Sequence, residues 1–117
     1  MIITEQRIPE AIILTLEGTL NYSSRPQFMK VIHHAINAQF PHVIVNLEHI
    51  ICPDAGTVSI LFMAYQVLTL HHRRLSLLSP SPALHSQLQS MKFPRIMPLY
   101  ESLDAALTPR GYPFTVV

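Results

Sequence analysis

The 117-residue sequence has no tryptophan, a single cysteine, three glycines and only 13% Asp, Glu, Lys and Arg. Each shortage removes a class of molecule. With Cys52 alone, no intramolecular disulfide can form, so a disulfide-stapled secreted domain is excluded and a reducing cytoplasm fits best. Gly18, Gly56 and Gly111 lie far apart, leaving no glycine-rich loop to cradle a phosphate chain. Eight basic against seven acidic residues give a formal net charge of +1, without the basic footprint that nucleic-acid phosphates demand. No membrane span is expected, because the longest apolar-rich stretch, Val58 to Leu70, is interrupted by Ser59, Gln66 and Thr69 and falls short of roughly 30 Å of hydrocarbon. The opening MIITEQRIPE carries neither the basic nor the long apolar region of a secretory leader.

What is abundant is hydrocarbon, at 49% of residues, in a chain the length of one domain. That suffices for a core, and a single domain over 1–117 is expected, with 108–117 as a C-terminal tail. Ten prolines punctuate the apolar runs. Ile2 to Ile8 and Ala11 to Glu17 read as two short strands around the turn at Pro9 and Glu10, the second alternating Ile12, Leu14 and Leu16 against Ile13 and Thr15. Ser24 and Pro26 then mark a helix start, and Phe28, Val31, Ile32, Ala35 and Ile36 form its apolar stripe.

The β-branched run His42 to Leu47 (HVIVNL) reads as a central strand covered on both faces. A second helix is predicted from Asp54 or Ala55 to Leu70, capped by Asp54, with Val58, Leu61, Phe62 and Tyr65 as its core stripe. Leu75 to Ser79 is a further strand. Ser81 and Pro82 open a helix using Leu84, Leu88 and Met91, Ile96 to Tyr100 is a last strand, and Ser102 to Leu107 a closing helix. Strands alternating with helices predict an α/β fold, a mainly parallel mixed sheet of 4–5 strands with 3–4 helices.

The richest window is Val43 to Tyr65 (VIVNLEHIICPDAGTVSILFMAY), where a buried strand passes through a polar loop into a helix start. With LEGTLNYSSRPQF at Leu16 to Phe28, RLSLLSPSPALHSQL after it and LYESLDAAL near the end, the order of segments resembles the STAS family, named for sulfate transporters and anti-sigma factor antagonists. The resemblance implies the STAS fold, no cofactor, and a non-enzymatic role in which the protein docks on an anti-sigma factor with a histidine-kinase-like ATPase fold. The family signature D-S-x-G-[LI] carries a phosphorylated serine. Placing Asp54 on its aspartate puts Ala55 at the serine and Thr57 at the glycine, so the phospho-acceptor is missing there. A second register aligns Gly56 with the family glycine and puts Asp54 at the serine and Pro53 at the aspartate.

The expected partner-binding residues are Pro53, Asp54, Ala55, Gly56 and Thr57, adjoined by Ser59 and Met63, with Tyr22 and Ser23 bordering them if both loops share a sheet end. Thr57, on what reads as the exposed first turn, is the substitute acceptor for phosphate, ahead of Ser59. An accessory subunit of a lipid-transport ATPase is the alternative within the family. A small thiol enzyme using Cys52 is the alternative from another class, but His49 and Cys52, three apart on an extended chain, point to opposite faces, which leaves Cys52 half-buried and passive. The adjacent pairs His33/His34 and His71/His72 lack metal-ligand spacing, so no metal site is expected. The tail Thr108 to Val117 (TPRGYPFTVV) is apolar enough to pair with a sheet edge of a second copy, which makes a homodimer conceivable.

Overall fold

Strict alternation in the second apolar run creates a ribbon with two apolar faces, and the computed structural model, which describes residues 1–90 and 99–100, places that ribbon next to the centre of a sheet. The elements in chain order are β1 (Ile2–Ile8), β2 (Ala11–Gly18), α1 (Arg25–Asn37), β3 (His42–Ile50), α2 (Ala55–Leu70), β4 (Arg74–Leu78), α3 (Pro82–Ser90) and β5 (Leu99–Tyr100). The sheet runs β1-β2-β3-β4-β5, with β1 antiparallel to β2 and every later pair parallel. This is the expected mixed, mainly parallel α/β architecture, with β3 at its centre.

One face of the sheet carries Ile12, Leu14, Leu16, Val43, Val45, Leu47, Leu75 and Leu77, and these join one core cluster with the buried side chains of all three helices. α1 contributes Phe28, Ile32, Ala35 and Ile36, and α2 contributes Val58, Ile60, Leu61, Ala64 and Leu68. Burying each such side chain is worth roughly 1.5–3 kcal/mol, so this face dominates the fold's stability. The other face is a second, smaller cluster of Ala11, Ile13, Ile44, Leu78 and Tyr100. β3 is therefore buried on both sides, as its unbroken apolar run requires.

Several boundaries differ from the sequence reading for physical reasons. β3 continues past Leu47 to Ile50 because Glu17 and Gly18 keep pairing with His49 and Ile50 beyond an irregularity between Thr15 and Glu17. β4 begins at Arg74, whose N–H donates to the Pro41 carbonyl, and ends at Leu78. On α2 the buried stripe is Thr57, Val58, Ile60, Leu61, Ala64 and Leu68, while Phe62 and Tyr65 stack on each other at 6.1 Å and are only half-buried. Ser24 does precede α1, but its hydroxyl does not cap it. Met91, the first part of the strand assigned to Ile96 to Tyr100, the closing helix Ser102 to Leu107 and the tail Thr108 to Val117 lie outside the described residues.

Candidate functional site

Because β2 and β3 are parallel, both release the chain at the same end of the sheet, and the Ile51 N–H donates to the Gly18 carbonyl (2.9 Å) to tie the two exits together. The loop after β2 is then locked by its own polar side chains. Asn21 Oδ1 accepts from the N–H groups of Ser23 (2.9 Å) and Ser24 (3.2 Å), while Ser24 Oγ donates to the Thr19 carbonyl (2.8 Å) and accepts from the Asn21 N–H (3.0 Å). Local bonds of this kind satisfy turn backbone that no sheet or helix reaches.

The loop after β3 ends in a reciprocal cap. Asp54 Oδ1 accepts from the Thr57 N–H (3.0 Å), and Thr57 Oγ1 accepts from the Asp54 N–H (3.2 Å), so two free amides of the α2 start are satisfied. Thr57 Oγ1 also donates to the Leu20 carbonyl in the other loop (2.8 Å). One hydroxyl thus joins helix, cap and neighbouring loop. The expectation that Thr57 lies on an exposed turn is corrected: it is fully buried, because its hydroxyl is spent on two backbone groups. From the other side, Gln87 Nε2 on α3 donates to the Pro53 carbonyl (3.0 Å).

Around this knot lies an exposed surface. Asp54, Ala55 and Ser59 face solvent, Pro53, Gly56 and Met63 are half-buried, and Gln66 extends the same strip of α2. Tyr22 is 66% exposed and Ser23 is exposed beside it. Tyr22 borders the α2 start directly: a Cβ added to Gly56 would lie 3.8 Å from its Cε2 and 3.1 Å from Asp54 Oδ1. Of the residues named from sequence, Tyr22, Asp54, Gly56 and Thr57 are brought together, with Ala55 and Ser59 next along the helix.

Sequence reasoning missed four contributors. The Leu20 carbonyl and Gln87 act through contacts 37 and 34 residues away along the chain, which leave no local mark. Arg25, whose guanidinium sits 5.8 Å from the Tyr22 ring centroid, could have been paired with Tyr22 from their three-residue spacing. Ile51, given no role from sequence, is 57% exposed at the start of the loop. Cys52 is corrected from half-buried to exposed: β3 ends at Ile50, so Cys52 sits in the loop with φ +49°, and the extended geometry assumed for His49 and Cys52 does not hold. His49 Nε2 lies 3.9 Å from Glu48 Oε1.

A second polar constellation lies at the far end of β3. His42 Nε2 meets Ser76 Oγ on β4 at 2.7 Å, both buried. Burial, and then the Arg74 charge, lower the imidazole from its ordinary value of 6.5 to about 4, so the neutral ring belongs to the folded state. Among the described residues no group of three His, Cys, Asp or Glu is placed to hold a metal, and no helix is long and apolar enough to cross a membrane.

A mixed, mainly parallel sheet with helices on one face, and a capped helix start beside an exposed loop, define the class as a small α/β domain. The model of the STAS domain matches residues 3–106, and the chain belongs to that family. No curated protein matches the sequence. Solved structures with the same fold include a candidate anti-sigma factor antagonist from Thermotoga maritima (17% identity, TM-score 0.81, covering 90% of this chain and 91% of that one). An anti-sigma factor antagonist from Mycobacterium paratuberculosis gives 17% identity and TM-score 0.79 over 91% and 90% of the chains. The phosphorylated form of SpoIIAA, a Bacillus cell fate determinant, gives 21% identity and TM-score 0.70 over 91% and 96%.

Proposed function

We propose that this STAS domain is a non-enzymatic protein-binding module of the anti-sigma factor antagonist type, which docks on a kinase-like anti-sigma factor through the α2 start and the loop after β2. The single observation that carries this reading is the preassembled corner itself. Thr57 spans both loops, so Tyr22, Ser23, Asp54, Ala55 and Ser59 are held as one exposed surface before any partner arrives. SpoIIAA, solved in a phosphorylated form, shares the fold.

In this protein the switch differs. With Asp54 on the signature aspartate, exposed Ala55 takes the serine's place and has no hydroxyl. Thr57 has one, but it is buried and already bonded to the Leu20 carbonyl, so a phosphate there would have to break the cap. Docking is therefore constitutive with respect to phosphorylation of the α2 start, and the protein acts in the cytoplasm. Incubation with the partner kinase and ATP leaves the intact mass of the wild-type protein unchanged, while Ala55→Ser gains one phosphate. Affinity capture from the native host with wild type, Tyr22→Ala and Ser59→Arg tests the surface. Loss of one ATPase-fold partner in both variants, with unchanged melting, supports the reading; capture of the same partners by all three overturns it.

A further inference from the structure

The outer edge of β1 is the longest unpaired strand edge among the described residues, and its sequence is self-complementary. β1 pairs with β2 over seven consecutive residues, from Ile2↔Glu17 to Ile8↔Ala11, without a register break. It stands last in the sheet order, so its second row of N–H and C=O groups has no strand partner among the described residues. Of the devices that usually blunt such an edge, IITEQRI has no proline, no lysine and no bulge; its charges are one acid and one base, Glu5 and Arg7, which repel a copy in some registers and attract it in others. Thr4, Glu5, Gln6 and Arg7 are all exposed.

We propose that two copies of this chain pair β1 to β1 in antiparallel fashion, centred on Gln6, to form one continuous sheet. The occupant is fixed by charge. A twofold axis perpendicular to the sheet must pass between a residue and its own copy, so only registers centred on a residue are allowed, and each pairs odd positions with odd. Centring on Glu5 sets two carboxylates directly opposite each other, which is unfavourable. Centring on Gln6 sets Glu5 of one copy opposite Arg7 of the other, twice, and Thr4 opposite Ile8. Within one chain Arg7 Nη2 already lies 3.7 Å from Glu5 Oε1, and its guanidinium rests 5.5 Å from the Phe40 ring centroid, which holds the charge at the edge. The pairing closes a four-charge cluster of alternating sign, a network rather than an isolated surface pair. This edge is separate from the corner proposed to bind the anti-sigma factor, so the two readings stand or fall independently.

Sedimentation equilibrium of the full chain, at low and at high salt, tests the pairing. Wild type self-associates to a dimer that high salt weakens. Glu5→Arg, which leaves two arginines facing two arginines, and Gln6→Lys, which places two ammonium groups opposite each other at the axis, each raise the dissociation constant about tenfold or more. Glu5→Arg combined with Arg7→Glu restores association, because the swap rebuilds both pairs. Gln6→Lys leaves the contact between Arg7 and Phe40 untouched, so it separates edge pairing from a folding defect, and thermal melting checks each variant. A strictly monomeric wild type overturns the proposal. So does a dimer indifferent to Glu5→Arg and Gln6→Lys, which would be assembled through another surface, or a folded double swap that stays dissociated.

Discussion

The two polar constellations at opposite ends of β3 solve the same problem differently. At the carboxyl end, Asp54, Thr57 and the Leu20 carbonyl satisfy one another with short bonds and leave the carboxylate in water. At the amino end, His42 and Ser76 satisfy one another as a buried pair between β3 and β4. The first arrangement uses polarity to fix backbone shape next to a displayed surface. The second uses it to pin β3 against β4 in a buried setting, and it makes the fold sensitive to acid. Polar groups of nearly equal hydrogen-bonding quality thus serve display at one end and register at the other, and what separates the ends is that Thr57, itself buried, is tied to the exposed Asp54, whereas His42 and Ser76 are both buried.

The largest expected effect lies at the buried end. The folded state prefers the neutral imidazole, with His42 lowered to about 4 from 6.5, so stability is flat above the ordinary value and falls as pH drops between the two. From about pH 7 to about pH 5 the loss from this group amounts to about 2 kcal/mol. Urea unfolding at both pH values measures it, and His42→Gln removes most of that dependence. An undiminished acid slope in the variant would show that other groups carry it, and that the contrast between the two ends is not one of protonation.

Next comes the bridge between the loops. Thr57→Val keeps the shape but strands the Leu20 carbonyl and the Asp54 N–H, at a cost of about 2 kcal/mol in urea unfolding. Smaller still is the cap. Asp54→Ala costs about 1 kcal/mol, whereas Asp54→Asn, which caps almost as well, costs only a few tenths. The two Asp54 variants sharpen the comparison: partner affinity that follows charge would fall in both, and affinity that follows loop shape would fall only in the alanine variant.

How much of this was legible beforehand depended on the range of the interaction. The ends of α2 were readable because Asp54 and the apolar spacing act within a few residues, and the two-sided burial of β3 followed from the run His42 to Leu47. Thr57 was legible in part: its position three residues after Asp54 is the spacing of a reciprocal cap, but its burial depends on the Leu20 carbonyl, which only the tertiary fold brings close. Cys52 was misread for the converse reason. Apolar residues at the end of an apolar strand look buried, and what exposes them is the point where pairing with β2 stops, at Gly18 and Ile50. Ser24 occupied the expected cap position, yet its hydroxyl found better acceptance at the Thr19 carbonyl, a competition invisible to a positional rule.

A variant with little effect on stability carries the sharpest functional test. Tyr22 is 66% exposed and its ring lies 5.8 Å from the Arg25 guanidinium, so Tyr22→Ala should change unfolding free energy by no more than about 0.5 kcal/mol. An exposed aromatic beside a rigid loop is at the same time the kind of side chain that anchors protein interfaces, and truncating one costs at least about 1 kcal/mol of affinity where it is buried by a partner. The variant therefore separates the two ends of β3 in opposite directions: His42→Gln alters the stability profile and leaves partner affinity at neutral pH intact, whereas Tyr22→Ala leaves stability intact and lowers partner affinity. Calorimetric titration of the captured partner against both variants reads the difference. If Tyr22→Ala binds as tightly as wild type while Asp54→Asn does not, the loop after β2 is scaffolding alone and the docking surface narrows to the α2 start.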